Sequence, residues 1–283
     1  MPTTLPPLVN AFEETVRSVI ELGRGCSEAD FARETACPGW TVKDQISHVV
    51  DLESILAGAP EASVDVPDFP HVRNDFGVFM ERGIHARRAV AGPEVVAELE
   101  SVLDQRLAAL RAPGMTAESP VDPGMSIELP VRTAYDLMVL RIRDVWAHEQ
   151  DLRAALARPG GMGAGGAVVF LDTVFGFLPA LAARRAKVPV GHTVVLEVIG
   201  PVAGECGVRI DPRDDGKPTG VALDAAAIEA ARREHADVTW VTLDTEPLAR
   251  RAAGRQSVDE TRYAVRGDTA IAGAVVDAVV VTP

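Results

Sequence analysis

The sequence predicts a two-part protein, a helical bundle followed by a smaller α+β domain, and three observations support this fold class. The chain has 283 residues, more than most single cores hold, so a second domain is expected. Apolar residues recur at helical spacing up to about residue 187. After that point the apolar runs become short and strand-like. We therefore expect a helical-bundle domain over 1–187 and a smaller α+β domain over 188–283.

The helical part contains six periodic segments. In the first segment apolar residues are spaced four apart, from Leu8 onward, and Gly23 marks its end. The second follows the Pro38-Gly39 turn, where Thr41 and Asp44 resemble a capping box. The later helices are expected over 41–57, 76–91, 94–111, 131–157 and 165–186, with long loops over 58–75 and 112–130. Several long helices joined by two long connections predict a four-helix bundle with the remaining helices added to it, and loops of this length are often functional lids.

The C-terminal part alternates short strands with helices. Strand patterns occupy 192–200, 206–212 and 237–243, and helical patterns occupy 224–235, 244–254 and 268–280. The run Asp214-Asp215-Gly216 predicts a turn after the second strand. This mixture is typical of an α+β domain.

Composition excludes several classes of function. Asp and Glu outnumber Lys and Arg by 41 to 28, which gives a net charge of −13 without any basic run. Because such a chain repels polyphosphate, we expect no nucleic-acid partner. No GxSxG, P-loop, GxGxxG or HExxH motif is present, so the sequence does not indicate a serine hydrolase or a nucleotide-binding protein.

The sequence also predicts the compartment. The N-terminus lacks a positive region followed by an apolar region, so we expect no secretory signal and a cytoplasmic protein. The apolar stretch 163–185 contains Asp172 and Pro179, which favours a buried bundle helix over a membrane span. The odd set Cys26, Cys37 and Cys206, without a CxxC pair, predicts reduced thiols.

Helix 131–157 carries the most informative pattern. Arg141, Asp144 and His148 interrupt an otherwise apolar stripe at steps of three and four residues. Asp144 and His148 are one turn apart, so both side chains could bind one metal ion. The alternative is an Asp–His or Asp–Arg pair at the edge of the core.

Helix 41–57 offers a third ligand, His48, at the edge of its apolar face, on which Glu53 also lies. A single histidine in such a position is usually structural or solvated. If this helix packs against helix 131–157, His48 meets Asp144 and His148. Three protein ligands leave one coordination position open to water or to a substrate thiolate, as in catalytic zinc sites.

The other candidates are weaker. We interpret His71, His85, His192 and His235 as ordinary surface or turn histidines. Cys37 precedes the Pro-Gly turn and could approach the site, although a buried inert thiol is the alternative.

Two motifs resemble a known family. The segment CPGWTVKDQISHVVDLE (37–53), followed by RIRDVWAHEQDLRAAL (141–156) and ARPGG, is similar to the mycothiol-dependent maleylpyruvate isomerase family of the DinB-like metalloprotein superfamily. The resemblance implies a DinB-like four-helix bundle with a divalent metal, typically zinc with nickel as another candidate, held by His48, Asp144 and His148. The family acid is usually glutamate, so Asp144 is a departure with a shorter reach. The segment ADVTWVTLDTEPLARRAAGR (236–255) resembles the sterol-carrier-like α+β domain of these enzymes.

The resemblance implies an activity as well. A metal-bound thiol, mycothiol in the family, is kept as a thiolate at neutral pH and attacks a small electrophilic or unsaturated acid. Isomerisation expels the thiol again, whereas S-transfer leaves it attached. Arg141 could pair with a substrate carboxylate, and the alternative is a salt bridge to Asp144 or Asp44. We expect a monomer or homodimer.

Two other functions stay open. A non-enzymatic ligand-binding or regulatory module would carry a structural metal or none. Metal-assisted hydrolysis needs a general base near the open position, and Glu149 lies about a quarter-turn away from the ligand face, so hydrolysis ranks last.

Overall fold

The computed structural model describes residues 4–233 and 236–281. His235, interpreted above as an ordinary histidine, lies outside them. Two compact units, 1–166 and 167–283, divide the chain and are described separately. The helices in the described ranges are α1 (Leu5–Arg24), α2 (Glu28–Phe31), α3 (Val42–Leu56), α4 (Asp75–Arg87), α5 (Gly92–Leu110), α6 (Ala134–Leu156), α7 (Gly165–Arg184), α8 (Ala225–Arg233), α9 (Thr245–Ala252) and α10 (Thr269–Ala278). The strands are β1 (Thr193–Ile199), β2 (Gly204–Pro212), β3 (Pro218–Ala222), β4 (Val238–Asp244) and β5 (Ala264–Arg266).

The N-terminal unit is a bundle of four long helices. Helix α1 packs against α5 and α6, and α3 packs against α5 and α6 in turn, while α4 is added on the outside of α3. Fully buried side chains such as Phe12, Ile46, Leu99 and Ile142 form the core. The predicted four-helix bundle is confirmed, and its packing brings α3 beside α6.

The start of α3 follows the predicted capping chemistry. The Thr41 side chain accepts a hydrogen bond from the Asp44 amide, and the Asp44 carboxylate accepts one from the Thr41 amide at 3.0 Å. The preceding turn places Gly39 at φ +79°, and a Cβ there would lie 2.2 Å from Nδ1 of His71. Glycine is therefore required both by the backbone conformation and by the close approach of the 57–74 loop.

The C-terminal unit contains a five-stranded mixed sheet in the order β3-β2-β1-β4-β5. Strand β1 is parallel to β4, with Thr193 opposite Val238, and the other neighbours are antiparallel. Helix α8 covers one part of the sheet, where Ile228 joins Val195 and Trp240 in a buried cluster. The predicted α+β character is confirmed.

Two strands of this sheet were not predicted. Strands β3 and β5 are short, lie at the two edges and are mostly exposed. An edge strand with little buried surface has no alternating apolar pattern for sequence reasoning to find. The three strands that were predicted, near β1, β2 and β4, are the ones with several buried residues.

Helix α7 belongs with the sheet rather than with the bundle. By length and composition it could cross a membrane, and 56% of its most apolar window is buried, as in the core helix of a globular unit. Gly204 and Gly220 of the sheet approach Phe175 and Pro179 of this helix closely. The sequence assigned this helix to the bundle because the change in sequence period, at about residue 187, records where helices stop and not which unit they pack into. The compact units divide before α7, whereas the sequence pattern put the boundary after it.

Candidate metal centre

Helices α3 and α6 bring together the three ligand-type side chains singled out in the sequence. One nitrogen of His48, one oxygen of Asp144 and one nitrogen of His148 all lie within 4.8 Å of one another. Nε2 of His48 is 3.3 Å from Oδ2 of Asp144, and Nε2 of His148 is 3.7 Å from Oδ1 of the same carboxylate. This spacing leaves room between the three groups for one metal ion to replace their mutual contacts.

The three groups differ in their exposure. The side chains of His48 and His148 are 4% and 8% exposed, whereas that of Asp144 is 26% exposed. The ring centroids of the two imidazoles are 4.7 Å apart, in an edge-on arrangement. The site is therefore most exposed to solvent on the side of Asp144.

The electrostatics of the site favour a cation. Burial lowers the pKa of His48 from 6.5 to about 4, although the hydrogen bond to Asp144 acts in the opposite direction. Burial alone would raise the pKa of the Asp144 carboxyl, but Arg141 and the two histidines hold it well below its usual range. At neutral pH the site thus offers a neutral imidazole and an ionised carboxylate, the protonation states that metal binding requires.

A glutamine sets the tautomer of His148. The Thr35 hydroxyl donates to the carbonyl of Trp40 at 2.9 Å, so its oxygen accepts from Nε2 of Gln45 at 2.7 Å. This leaves Oε1 of Gln45 facing Nδ1 of His148, in a short hydrogen bond. Because a carbonyl oxygen can only accept, Nδ1 carries the proton, and Nε2, which faces Asp144, is the nitrogen available to a metal.

Trp40 forms a wall of the site. Its ring centroid lies 5.1 Å from that of His48 and 5.9 Å from that of His148. The indole Nε1 donates to Oε2 of Glu81 on α4 at 3.1 Å, which fixes the ring. An aromatic wall excludes water from the two imidazoles and strengthens the electrostatic interactions between the charged groups of the site.

Arg141 is buried and already paired. Its Nη1 donates to Oδ2 of Asp144 at 2.8 Å and its Nε donates to Oε1 of Glu53 at 2.6 Å. The predicted alternative, a salt bridge to Asp144, is thus present, while Asp44 pairs with Arg88 at 3.3 Å. Nη2 of Arg141 is buried without a hydrogen-bond partner among the described residues.

His71, His85 and His192 contact residues outside the three-residue cluster. His71 contacts Glu81 at 3.1 Å and stacks on Phe69, and His192 of the C-terminal unit contacts the Thr239 hydroxyl at 2.9 Å. His85 lies on α4 near the same loop. Its ring centroid is 6.1 Å from that of Phe69, and the two ring planes are tilted relative to each other.

Two further candidates lie close to the ligand helices in sequence. The Cys37 amide donates to Thr35 at 3.2 Å, within the turn before α3, and its thiol is not in a disulfide. The approach of that thiol to the site stays a prediction. Glu149 accepts from Ser18 on α1 and from Arg153, both at 2.7 Å, so its carboxylate is held on the α1 side of α6.

The sequence did not predict that three further residues belong to the site: Trp40, Gln45 and Glu53. Gln45 is three positions before His48 and therefore on the same side of α3. Glu53 interrupts an apolar face in the same way as Arg141 and Asp144 do, which was a usable signal. Trp40 gave none, because a tryptophan after a Pro-Gly turn is equally typical of plain core packing.

The chain is similar to known proteins in sequence and in fold. The family model described as the mycothiol maleylpyruvate isomerase N-terminal domain matches residues 12–153, which include all three ligand-type residues. A crystal structure of a histidine-to-alanine mutant of the mycothiol-dependent maleylpyruvate isomerase is similar in fold, with 16% identity, 93% of each chain covered and a TM-score of 0.50. A crystal structure of the same isomerase without the mutation has 16% identity, 93% coverage of each chain and a TM-score of 0.48. No curated protein sequence matches significantly.

Proposed function

Because this chain belongs to the mycothiol maleylpyruvate isomerase N-terminal domain family, we propose that it is a divalent-metal-dependent enzyme that uses mycothiol. The reaction would be the isomerisation of a small unsaturated acid or the transfer of the thiol to a small electrophile. The observation that carries this proposal is the convergence of His48, Asp144 and His148 on one site.

The donor set fits a metal ion of the zinc type. Two imidazoles and one carboxylate suit zinc, and nickel also accepts imidazole ligands. Asp144 is shorter than the glutamate usual in the family, yet its two oxygens lie 3.3 and 3.7 Å from the two imidazoles. These distances support ligation of a shared ion by the shorter acid.

A bound metal ion supplies the Lewis acid that keeps a thiol as its thiolate at neutral pH. The residues of the chain prepare the place for it. Gln45 accepts from Nδ1 of His148 and so leaves Nε2 as the nitrogen that faces Asp144, Arg141 keeps Asp144 ionised, and Trp40 packs against the two imidazoles on one side.

The hydrogen bonds that Arg141 already makes restrict which of its nitrogens could contact a substrate carboxylate. Nε and Nη1 are occupied by Glu53 and Asp144. A substrate acid would therefore contact Nη2 or displace Asp144 from the guanidinium. Arg141 would supply guanidinium hydrogen-bond donors to the substrate acid in a protein whose overall charge is negative.

Metal content tests the proposal. We expect purified wild-type protein to contain stoichiometric zinc or nickel, and His48→Ala and His148→Ala to lose most of it, because each substitution removes one of three ligands. Elemental analysis by mass spectrometry measures this directly, with His192→Ala of the C-terminal unit as the matched control. Equal metal content in all four proteins would contradict the proposal.

Thiol chemistry tests the second part. We expect wild-type protein with mycothiol to convert members of a panel of unsaturated acids and alkylating agents, giving either an isomerised product or a thioether adduct visible by mass spectrometry. The His148→Ala protein serves as the control. A panel without any product from metal-loaded wild-type protein would count against an enzyme.

A non-enzymatic module with a structural metal is the second candidate. Structural zinc sites use four protein ligands, whereas the cluster found among the described residues contains three. The cytoplasmic location, the monomeric or homodimeric state and the lack of nucleic-acid partners stay predictions from the sequence.

A further inference from the structure

A row of four alternating charges runs through the bundle and ends at the metal centre. Arg106 on α5 donates from Nε to Oε2 of Glu53 at 2.9 Å. Glu53 on α3 accepts from Nε of Arg141 through its other oxygen at 2.6 Å. Arg141 then donates to Asp144 at 2.8 Å. The side chains of Arg106, Glu53 and Arg141 are 5%, 1% and 3% exposed.

Glu53 holds both arginines in fixed positions. Each of its two oxygens accepts from a different guanidinium, and Nη1 of Arg106 is also fixed, by the Leu56 carbonyl at 3.2 Å. Arg141 can therefore place only Nη1 on Asp144, on the same oxygen that His48 contacts. The direction of the Asp144 carboxylate follows from the position of Arg141.

The row is also electrically balanced. It contains two cations, Arg106 and Arg141, and two anions, Glu53 and Asp144. In a buried environment an uncompensated arginine next to the site would repel a divalent cation strongly, since charges interact much more strongly there than in water.

We propose that Glu53 is a positioning residue of the metal centre, which acts through Arg141 to direct Asp144 and to neutralise the arginine charge beside the bound ion. This inference rests on the proposed metal-dependent function. It differs from a purely structural role, in which Glu53 only ties α3 to α5 and α6.

Cobalt affinity separates these roles. The metal probe is Co²⁺, titrated into metal-free protein. Its d–d absorption bands report both its affinity and its ligand geometry. We expect Glu53→Gln, which keeps the side-chain volume and removes the charge, to weaken Co²⁺ binding by about 10- to 100-fold and to change the d–d spectrum.

The matched control lies on the same helix. Asp51 is a buried acid that pairs with Arg87 at 2.9 Å. Asp51→Asn breaks an acid–arginine pair of the same kind without touching Arg141, so Co²⁺ affinity and spectrum should stay as in the wild type. An equal loss of affinity in Asp51→Asn and Glu53→Gln would indicate a general effect of bundle stability and would overturn the inference.

A double-mutant cycle tests the route through Arg141. Because Glu53 acts on the site by way of Arg141, Glu53→Gln should weaken Co²⁺ binding in the wild type but have little further effect in an Arg141→Met background. Equal losses in both backgrounds would show that Glu53 acts by another route.

A more conservative substitution covers the case in which Glu53→Gln does not fold. Glu53→Asp keeps the charge but is too short to contact both arginines in the same way, so we expect a smaller loss of Co²⁺ affinity, and wild-type affinity in folded Glu53→Asp would overturn the inference. Wild-type Co²⁺ affinity in folded Glu53→Gln would overturn this inference and leave the proposed function intact. Failure of the wild-type protein to bind Co²⁺ would overturn the proposed function and this inference together.

Discussion

At the scale of single residues, the two imidazoles of the site are prepared in different ways. Burial makes His48 a neutral group at physiological pH, and an amide fixes the tautomer of His148. Neither property requires a metal to be present. The protein thus holds His48 in a state in which metal binding at neutral pH needs no proton release from it, and turns Nε2 of His148 toward Asp144.

This protonation predicts a pH effect on stability. The folded-state pKa of His48 is about 4, below its usual 6.5, so the unfolded chain binds more protons between these values. The free energy of unfolding of metal-free protein should therefore fall as pH decreases from 6.5 to 4, by up to about 3 kcal/mol at roughly 1.4 kcal/mol per pKa unit.

Urea unfolding at pH 7, 6, 5 and 4.5 measures this effect. The His48→Gln protein is the control, because it keeps a polar side chain and loses the titration. If wild type and His48→Gln lose stability in parallel over this range, the buried neutral state of His48 is wrong.

At the scale of elements, the sequence predicted the two ligand helices well. Capping residues and apolar periodicity define α3, and the spacing of Asp144 and His148 follows from the helix itself. The meeting of His48 with them depended on how α3 packs against α6, which is a long-range property that periodicity does not contain. The contacts of Gln45 with His148 and of Glu53 with Arg141 span similar distances in sequence, so periodicity could not identify these partners.

The turn before α3 carries a prediction at this scale. Gly39 has φ +79°, and a Cβ there would lie 2.2 Å from the His71 ring. We expect Gly39→Ala to reduce the free energy of unfolding by about 2 kcal/mol or more, because backbone strain of about 1–2 kcal/mol adds to the displacement of the loop.

Gly114→Ala is the matched control for this substitution. Gly114 has φ +87°, but no atom lies within 4 Å of its added Cβ, so it shows the backbone cost without the clash. Urea unfolding of the two variants gives the difference. Equal losses of stability would mean that His71 moves away without cost.

At the scale of the whole molecule, the sequence predicted the two architectures, and its boundary at residue 187 differs from the division into compact units after residue 166. Helix α7 has the same period as the bundle helices, and only packing shows that it belongs with the sheet. Edge strands β3 and β5 were missed because little of their surface is buried. The net charge of −13 is a property of the whole chain, and it opposes the approach of an anionic substrate.

That charge predicts a salt effect. If the substrate is an unsaturated acid, repulsion from the protein slows its approach, and screening by salt should raise kcat/KM roughly twofold from low to moderate ionic strength. The neutral methyl ester of the same acid, which lacks the charge, should show no such rise. Steady-state kinetics at several salt concentrations compare them, and an identical salt response of acid and ester would exclude electrostatic repulsion.

The hydrogen bonds between the Trp40 carbonyl and His148 run in one direction only. Thr35 donates to the carbonyl, Gln45 donates to Thr35, and His148 donates to Gln45. Reversing the imidazole tautomer would require the amide to turn over and the hydroxyl to abandon the backbone. A main-chain oxygen in the turn before α3 is thus linked, through three hydrogen bonds, to the choice of which nitrogen of His148 faces Asp144 and is open to a ligand.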